Sequence, residues 1–498
     1  MKLATFYRPI HGQQPYRNRE GAQKLAVRSR SLAYNIQKRY KQKLVSREYS
    51  RTILLQDSIA LAVEALSWME LEGLSERQAL ILVSKQLQIH DESSMRLAFR
   101  LMTETTRRLN LVDYIADWAL DPRKLGDWNL GVRNFLRLYI YWAHFRKRTF
   151  KGILSFLESG RRVLGRDELL PVESAFGMIL AAEPKKLIAN ERELTRMSLE
   201  TCHTEWFVRY SFRLLGRDDG LRLLNEDYSP PPTYLRINSL RQPWETVIEE
   251  IKHEGVTLSR MIELRDAWKV ERTEKPLIRL RSYERGLFQI QDISSQAACQ
   301  EANPKPGDFV LDICAAPGIK TCSLAQIMNN KGTVVSLDIA EARMRIWKSE
   351  IKRMGVEIAQ PIICDVQRDL PLNVEADVVL VDPPCSSTGL YSKAPSMKWR
   401  MKSGDVEKLS SLQLRILDIS SQHVKKNGFL IYSTCSILLE ENELVIEQFL
   451  KTHPTFKISP TFMTLGSEAF RGLNEARRFY PHRDRCNGFF VAKMEREN

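Results

Sequence analysis

Apolar residues recur at three- and four-residue intervals from about residue 52 to residue 190. This spacing places them on one face of a helix. Ile59, Val63 and Leu66 follow it, and so do groups of apolar residues near positions 80, 100 and 140. No long strand pattern interrupts this part of the sequence, and the linkers between its helical segments are short. The pattern therefore predicts a compact all-helical domain over residues 52–190.

The helical pattern stops at residues 229–232, which read Ser-Pro-Pro-Pro, because proline lacks a backbone donor and clashes with the preceding turn. Beyond it, residues 234–240 alternate as a strand does. An amphipathic helix over 244–253 ends at Gly255, and two strand-like runs follow at 257–263 and 267–272. Residues 191–290 are therefore predicted to form linker helices and a small α+β subdomain.

From residue 308 onward, apolar strands alternate with helices, which indicates an α/β fold with a doubly wound, Rossmann-like parallel sheet over residues 291–498. The strands are predicted at 309–314, 333–338, 361–365, 377–382 and 428–435. Each of them ends on a polar or reactive residue. Since ligands bind outside the carboxyl ends of parallel strands, we expect these residues to form a functional site.

The composition is that of a globular protein, with 498 residues, 43% of them hydrophobic and 27% charged, enough for two or three domains. The sequence has no run of about 18 uncharged apolar residues and no secretory leader pattern. We therefore expect a cytoplasmic monomer that neither spans a membrane nor is secreted. The eight cysteines form no C-x-x-C pair, so free thiols are expected rather than a structural metal site.

The formal charge of +14 is concentrated in residues 1–51, which carry 13 Lys or Arg against Glu20 and Glu48. A basic arm beside a nearly neutral body is typical of a segment that binds the phosphate backbone of a nucleic acid. A solvated basic tail and an Arg-rich targeting segment are the alternatives.

Residues 311–321, LDICAAPGIKT, read as a strand that runs through a small-residue turn into a helix. Such a turn lets the backbone approach a nucleotide closely, and Asp338, 20 residues after Gly318, ends the next strand, where its carboxylate can accept ribose hydroxyls. The turn lacks the glycine patterns of dinucleotide and P-loop sites, which favours S-adenosylmethionine. The alternative is that these small residues only allow close helix packing.

Two cysteines follow neighbouring predicted strands, Cys385 after Asp382-Pro383-Pro384 and Cys435 after Ser433-Thr434. A lone buried cysteine is ordinarily structural, whereas two at one sheet edge favour covalent chemistry. Methylation of cytosine at C5 requires such a thiol, because addition of a thiolate to C6 makes C5 nucleophilic. Asp382 is placed to act at the N3 and N4 edge of the base. Sequence order does not decide which thiol attacks.

Two other functions fit parts of this pattern. Methyltransferases that act on the amino group of adenine or cytosine also use D-P-P, but an aromatic residue that stacks on the base follows it, where this chain has Cys385. A catalytically inactive RNA-binding factor for ribosome assembly is the alternative from a different class.

The chain resembles the RNA cytosine-C5 methyltransferases of the Fmu/RsmB and Sun group. The resemblance covers about 300 residues, and besides the motifs above it includes residues 203–206, 234–240, 291–296, 480–483 and 487–490. The helical region resembles the NusB-like RNA-binding domain of some members. The family implies methylation of RNA, and the NusB-like part favours ribosomal over transfer RNA.

The resemblance also implies residue roles, with Cys435 as the nucleophile and Cys385 as the helper in product release. It places the following residues in the cofactor pocket: Cys314, Ala315, Ala316, Pro317, Gly318, Ile319, Lys320, Asp338, Arg343, Asp365 and Asp382. Residues 398–400, KWR, resemble a family segment near the substrate.

The chain departs from the family pattern at three positions. Ile319 stands where the family usually has the second glycine of Gly-Gly-Lys. Ser387 stands where it usually has the glycine of Cys-Ser-Gly, and Asn487 replaces a common aspartate. The first departure predicts a differently shaped cofactor loop.

Overall fold

The computed structural model describes residues 47–146, 149–368 and 370–497. Residues 1–46 of the predicted basic arm lie outside the described residues. The chain divides into two compact units, the first comprising residues up to Leu224 together with Ala394–Trp399, and the second comprising Asn225–Lys393 together with Arg400–Asn498. This division places the helices after residue 190 in the first unit, whereas the sequence pattern grouped them with the α+β subdomain.

The first unit is helical throughout its described part. Its helices are α1 Arg47–Glu72, α2 Glu76–Leu87, α3 Glu92–Arg107, α4 Leu109–Ala119, α5 Leu130–Ile140, α6 Phe150–Leu164, α7 Arg166–Leu169, α8 Glu173–Ala181, α9 Pro184–Leu187, α10 Glu193–Thr201, α11 Glu205–Leu215 and α12 Arg217–Glu226, of which α12 ends in the second unit. Side-chain caps begin several of them. Ser75 accepts from Gln78 N in a capping box, and Asp91 accepts from Ser94 N.

Helix α1 forms much of the core of this unit. Ile59, Val63 and Leu66, the residues whose spacing predicted a helix, are all buried. The stretch Thr52–Glu72 is long and apolar enough to cross a membrane, and 72% of its most apolar window is buried inside the protein. Such burial is the pattern of a core helix in a globular unit.

The second unit begins with an antiparallel four-stranded sheet in the order β2-β3-β1-β4. Its elements are β1 Thr233–Ile237, α13 Trp244–His253, β2 Val256–Arg260, β3 Ala267–Thr273, α14 Arg281–Glu284 and β4 Phe288–Ile290. One face of the sheet packs on α13 through Leu235, Ile237 and Val247. The alternation in the sequence predicted these strands, although the first ends at Ile237 rather than Leu240.

The large sheet of the second unit has the order β11-β12-β13-β9-β8-β5-β6-β7, with β10 paired to β13. Its strands are β5 Phe309–Ile313, β6 Thr333–Asp338, β7 Ala359–Ile363, β8 Ala376–Val381, β9 Val424–Thr434, β10 Phe456–Ile458, β11 Ser467–Glu468, β12 Arg477–Phe479 and β13 Phe489–Arg496. Its helices are α15 Ile293–Ala302, α16 Ile319–Ile327, α17 Glu341–Met354, α19 Ser403–Ser421, α20 Glu443–Thr452 and α21 Pro481–Asp484, and the short α18 Met397–Arg400 precedes α19.

Strands β5 to β9 are the five that the sequence predicted, and they pair in parallel. From β5 the chain first adds β6 and β7 on one side and then β8 and β9 on the other. The crevice at the carboxyl end of β5 is therefore the switch point at which such sheets bind ligands. In register, Ile313 lies beside Leu337 and Val381, and Val381 lies beside Tyr432, so the residues after these four strands meet at one edge.

The sequence pattern did not predict the antiparallel extension of this sheet. Strand β13 pairs with β9 over Phe490↔Thr434 to Glu495↔Phe429, and β12 and β10 pair with β13. This extension covers the outer edge of β9, the strand that leads to Cys435. The alternation signal is weak here because both faces of β13 are buried, as Phe490 and Val491 show.

Candidate active site

The small-residue turn connects β5 to α16. Gly318 begins the helix with φ of 103°, and a Cβ built on it would lie 2.9 Å from Trp347 Cδ1, so this position needs glycine for both conformation and space. Ala315 and Ala316, which belong to this turn, are buried. The close packing of Gly318 against Trp347 corresponds to the alternative that the sequence left open, and the approach of the turn to a nucleotide stays a prediction.

Asp338 ends β6 beside this turn. Its carboxylate accepts hydrogen bonds from Ala316 N at 3.2 Å and from Ala340 N at 3.0 Å. The side chain is only 2% exposed. A carboxylate has about four acceptor sites, so these two bonds hold it in place and leave capacity for ribose hydroxyls. The turn and Asp338 thus form one preorganised acceptor site.

The predicted residues Arg343 and Asp365 flank Asp338. Arg343 lies 3.4 Å from the Asp338 carboxylate and also donates to Ala316 O, which ties α17 to the turn. Asp365 follows β7, where it accepts from Gln367 N at 3.1 Å. Ile339, which the sequence analysis did not single out, is 57% exposed directly after Asp338 and presents an apolar side chain beside these polar groups.

Lys320 and Asp382 connect the cofactor turn to the strand that precedes Cys385. Lys320 Nζ lies 2.6 Å from Asp382 Oδ2, and Ser433 Oγ donates to the other carboxylate oxygen at 3.2 Å. Burial lowers the pKa of Lys320, but the acidic groups around it, of which Asp382 contributes most, together outweigh burial and raise that pKa above its ordinary value. Lys320 therefore carries a fixed positive charge beside the strand ends.

The two cysteines are in contact, with Cys385 Sγ 3.2 Å from Cys435 Sγ. The Ser387 hydroxyl lies 3.4 Å from the Cys435 sulfur. The hydrogen bond from Cys385 lowers the pKa of Cys435 against the opposing effect of burial, and the Ser387 hydroxyl and Lys320 lower it further. The same thiol pairing and burial raise the pKa of Cys385, and the Glu441 carboxylate adds to the rise.

A buried glutamate that the sequence analysis missed joins the two cysteine loops. Glu441 accepts from Ser386 N at 2.8 Å, from Ser436 Oγ at 2.5 Å and from the Ser386 hydroxyl. Gln413 Nε2 donates to it at 2.9 Å. The serines directly follow the two thiols, so a single carboxylate sets the separation of both loops. Its signal in the sequence is a polar run, residues 440–443, EENE, right after an apolar strand and its loop.

Asp312 lies beneath the cofactor turn in β5. Its side chain is fully buried and accepts from Thr321 Oγ1 at 2.6 Å. Burial raises the pKa of Asp312 to about 7. The hydroxyl of Thr321 also accepts a hydrogen bond from Trp347 Nε1 at 3.0 Å. This chain of hydrogen bonds fixes the first turn of α16 to the sheet.

Residues 398–400, which resemble a family segment near the substrate, include two side chains that contact helices of the first unit. Lys398 is 1% exposed and its Nζ donates to Cys202 O at 3.2 Å. Trp399 Nε1 donates to Thr106 O at 2.6 Å. These contacts explain why Ala394–Trp399 belongs to the first unit although it is flanked by residues of the second.

Comparisons with known proteins identify the family. Residues 300–495 match the model of the 16S rRNA methyltransferase RsmB/F family. The chain is 28% identical over 459 residues, 88% of its length and 98% of the relative's, to a probable ribosomal RNA small subunit methyltransferase B of Bacillus subtilis. It is 30% identical over 344 residues, 67% of its length and 78% of the relative's, to the corresponding protein of Coxiella burnetii. A tRNA (cytosine(72)-C(5))-methyltransferase of Pyrococcus horikoshii is 31% identical over 221 residues, 44% of this chain and 55% of the relative.

Solved structures share the fold. The crystal structure of PH0851 superposes with a TM-score of 0.77 at 26% identity and covers 91% of this chain and 100% of that one. NSun6 from Pyrococcus horikoshii, solved with the S-adenosylmethionine analogue SFG, superposes with a TM-score of 0.54 at 22% identity over 59% of this chain and 98% of that one. The chain belongs to the RsmB/F family of RNA cytosine-C5 methyltransferases, which use S-adenosylmethionine.

Proposed function

We propose that this enzyme methylates C5 of a cytosine in ribosomal RNA through a covalent bond between Cys435 Sγ and C6 of the base. The observation that carries the proposal is the contact of two thiols, 3.2 Å apart, at the edge where the cofactor turn and Asp382 also lie. Two thiols in such contact have no use in a direct transfer of a methyl group to an exocyclic amine, whereas methylation at C5 uses one thiol that adds to C6 and later leaves it, and a second group that removes the C5 proton.

The surroundings of the two thiols favour Cys435 as the nucleophile. The Ser387 hydroxyl favours an anion on Cys435, and the Lys320 charge offsets part of the opposing effect of Asp382. Cys385 lies near the Glu441 carboxylate, which disfavours a second negative charge there. Of the two thiols, Cys435 is therefore the one that ionises more readily. This asymmetry supports the assignment that the family resemblance implied.

The reaction then follows from these positions. The Cys435 thiolate forms the S–C6 bond, and the electron pair of the C5=C6 bond moves to C5. S-adenosylmethionine, when bound, supplies the methyl group that C5 receives. Because Cys435 is no longer charged, Cys385 can lose its proton to water and accept the proton of C5. Loss of that proton re-forms the C5=C6 bond, breaks the S–C6 bond and returns Cys435 to the thiolate.

Asp382 holds the other edge of the base in this proposal. Its carboxylate pairs with Lys320 Nζ at 2.6 Å, and an ionised carboxylate only accepts hydrogen bonds. Such a group matches the N4 amino group of cytosine, which is a donor, and rejects uracil, which presents an acceptor there. The Lys320 ammonium adds positive charge that stabilises the electron-rich base during the adduct.

The cofactor pocket is built from residues that fit an adenosine. Asp338 has free acceptor sites for ribose hydroxyls, and the exposed Ile339 side chain next to it offers an apolar surface for the adenine ring. The turn from Cys314 to Lys320 would hold the methionine part, with Asp365 and Arg343 at its flank. These residues would bind and orient the cofactor, which would supply the methyl group.

Ribosomal RNA is the proposed substrate because the matching family model and the relatives with the greatest coverage are named for it. Transfer RNA is the second candidate, supported by the archaeal relative that acts on position 72. Bisulfite sequencing of total RNA from cells with and without the gene distinguishes them. A cytosine that loses protection only in ribosomal RNA supports the proposal, and one that loses it only in transfer RNA contradicts it.

The covalent step has its own test. RNA that contains 5-fluorocytosine traps the adduct, because fluorine at C5 prevents the final elimination. Digestion of the trapped complex and mass spectrometry should find the nucleotide on the peptide that contains Cys435. Its attachment to the Cys385 peptide would reverse the two roles.

A further inference from the structure

Ser387 has a backbone conformation that serine rarely adopts. Its φ is 56° and its ψ is 29°, in the left-handed region. Glycine adopts this conformation freely, whereas a residue with a Cβ pays about 1 to 2 kcal/mol for it. The family usually has the glycine of Cys-Ser-Gly at this position, so this chain carries a side chain where the backbone conformation disfavours one.

The hydroxyl of Ser387 faces the thiol pair and lies 3.4 Å from Cys435 Sγ. The Ser387 backbone is close enough to Cys385 to oppose the rise in the pKa of that thiol. The carbonyl accepts from Leu390 N at 2.9 Å, which closes a turn of the loop. Glycine could make the amide and carbonyl contacts equally well, so only the contact with Cys435 depends on the side chain.

We propose that Ser387 is a positioning residue for the nucleophile. Its hydroxyl accepts from the neutral Cys435 thiol, and once that thiol has ionised the hydroxyl rotates to donate a hydrogen bond to the thiolate and holds it in the orientation for attack. This inference rests on the proposed role of Cys435. The bond stabilises the anion more than the thiol, because a sulfur that carries charge is a much better hydrogen-bond partner than a neutral one.

The neighbouring hydroxyls cannot replace this donor. Ser386 and Ser436 are committed to Glu441, and Thr388 lies within 3.2 Å of both serine hydroxyls. Among the described residues, the hydroxyl of Ser387 is the one that is hydrogen-bonded to Cys435. Its loss therefore leaves the Cys435 anion with Cys385 as its hydrogen-bond partner and Lys320 as its nearby cation.

The test measures the acidity of each thiol without RNA. Alkylation by iodoacetamide is followed from pH 5 to 10, and mass spectrometry reads the Cys435 and Cys385 peptides separately. Ser387→Gly and Ser387→Ala should each raise the pH midpoint of Cys435 alkylation by about 0.5 to 1, which slows it about 3- to 10-fold at pH 7. Alkylation of Cys385, whose contact with Ser387 is through the backbone, is the internal reference.

The two variants separate the hydroxyl from the backbone. Both lose the hydrogen bond, but only Ser387→Gly relieves the left-handed strain, so only it should raise the melting temperature. Asn427→Gly, at an exposed position that also has a left-handed φ of 58°, is the control and should leave both midpoints unchanged. If neither Ser387 variant moves the Cys435 midpoint, the proposal is wrong. If the midpoint moves but Cys435→Ala still methylates RNA, the hydroxyl contact stands and the proposed role of Cys435 fails instead.

Discussion

Single residues of the site differ in how far the sequence revealed them. Cys385, Cys435 and Asp338 are apparent because reactive or acidic side chains end apolar strands. The ion pair of Lys320 with Asp382 is not, since 62 residues separate its partners and only the parallel register of β5 and β8 brings them together. Ser387 stood out in the sequence only as a departure from the usual glycine of the family, and its contact with Cys435 was not apparent because serine is common in loops.

Glu64 in α1 gives a prediction at the same scale. Burial raises the pKa of this carboxyl from 4.5 to about 7, against a weaker opposing effect of the nearby Trp68. The folded protein therefore holds the proton more tightly than the unfolded chain does. This contribution to stability is fully present below pH 4.5 and is lost as the pH rises through 7.

Glu64→Gln should consequently stabilise the protein at pH 8 relative to wild type, by up to about 3 kcal/mol, and have little effect at pH 4.5. Thermal unfolding of both proteins between pH 4.5 and 8 measures the difference. Glu72→Gln, at an exposed position of the same helix, is the control and should show no such trend. A constant difference across this range would mean that Glu64 does not titrate there.

At the scale of elements, the spacing of apolar residues predicted the helices of the first unit and the five parallel strands. Burial of a helix face or of a strand produces a regular spacing of apolar residues that can be seen in the sequence. This spacing did not predict β10 to β13. These strands are short or buried on both faces. They join the sheet through β13, which pairs with β9 and also with β10. Such pairing depends on which edge strand of the folded sheet is still unpaired, and the order of apolar and polar residues in the sequence does not contain that information.

The loops after β8 and β9 act together through Glu441, and this leads to a prediction. Glu441→Gln keeps the size of the side chain but removes one acceptor and the negative charge, so the hydroxyls of Ser386 and Ser436 lose their shared partner. We expect a loss of about 1 to 3 kcal/mol in the free energy of unfolding, because buried polar groups are left unsatisfied.

Methyl transfer by Glu441→Gln should fall about 10- to 100-fold, since a small displacement of the two sulfurs is enough to misalign the attack. Single-turnover rates at saturating RNA and cofactor measure this loss. Glu468→Gln, at an exposed position of β11, is the matched control. Wild-type turnover by Glu441→Gln would show that the carboxylate does not set the geometry of the thiols.

At the scale of the whole molecule, the composition indicated several domains, and the change of period located the α/β part. The inclusion of Ala394–Trp399 in the first unit could not be predicted. Lys398 and Trp399 stood out only by their resemblance to a family segment near the substrate, and their partners Cys202 O and Thr106 O are backbone atoms, which leave no side-chain signature.

The basic arm supplies the prediction at this scale. Deletion of residues 1–46 leaves α1 intact and removes 11 Lys or Arg and one Glu. If the arm binds phosphates, RNA affinity should fall, and the slope of log affinity against log salt should become shallower by about 0.7 to 0.9 for each lost contact. Filter binding at several salt concentrations measures the slope. A slope equal to that of the full chain would favour a solvated tail or a targeting segment.

The division of labour between the two thiols is the central claim, and trapping on ordinary RNA tests it most directly. Cys435→Ala has no group to attack C6 and should give neither methylation nor a covalent complex. Cys385→Ala should still attack and methylate, but the elimination would be slow, so a protein-RNA species should accumulate and migrate slowly on a denaturing gel. Accumulation by Cys435→Ala and none by Cys385→Ala would reverse the roles, and normal methylation by both variants would contradict the covalent mechanism itself.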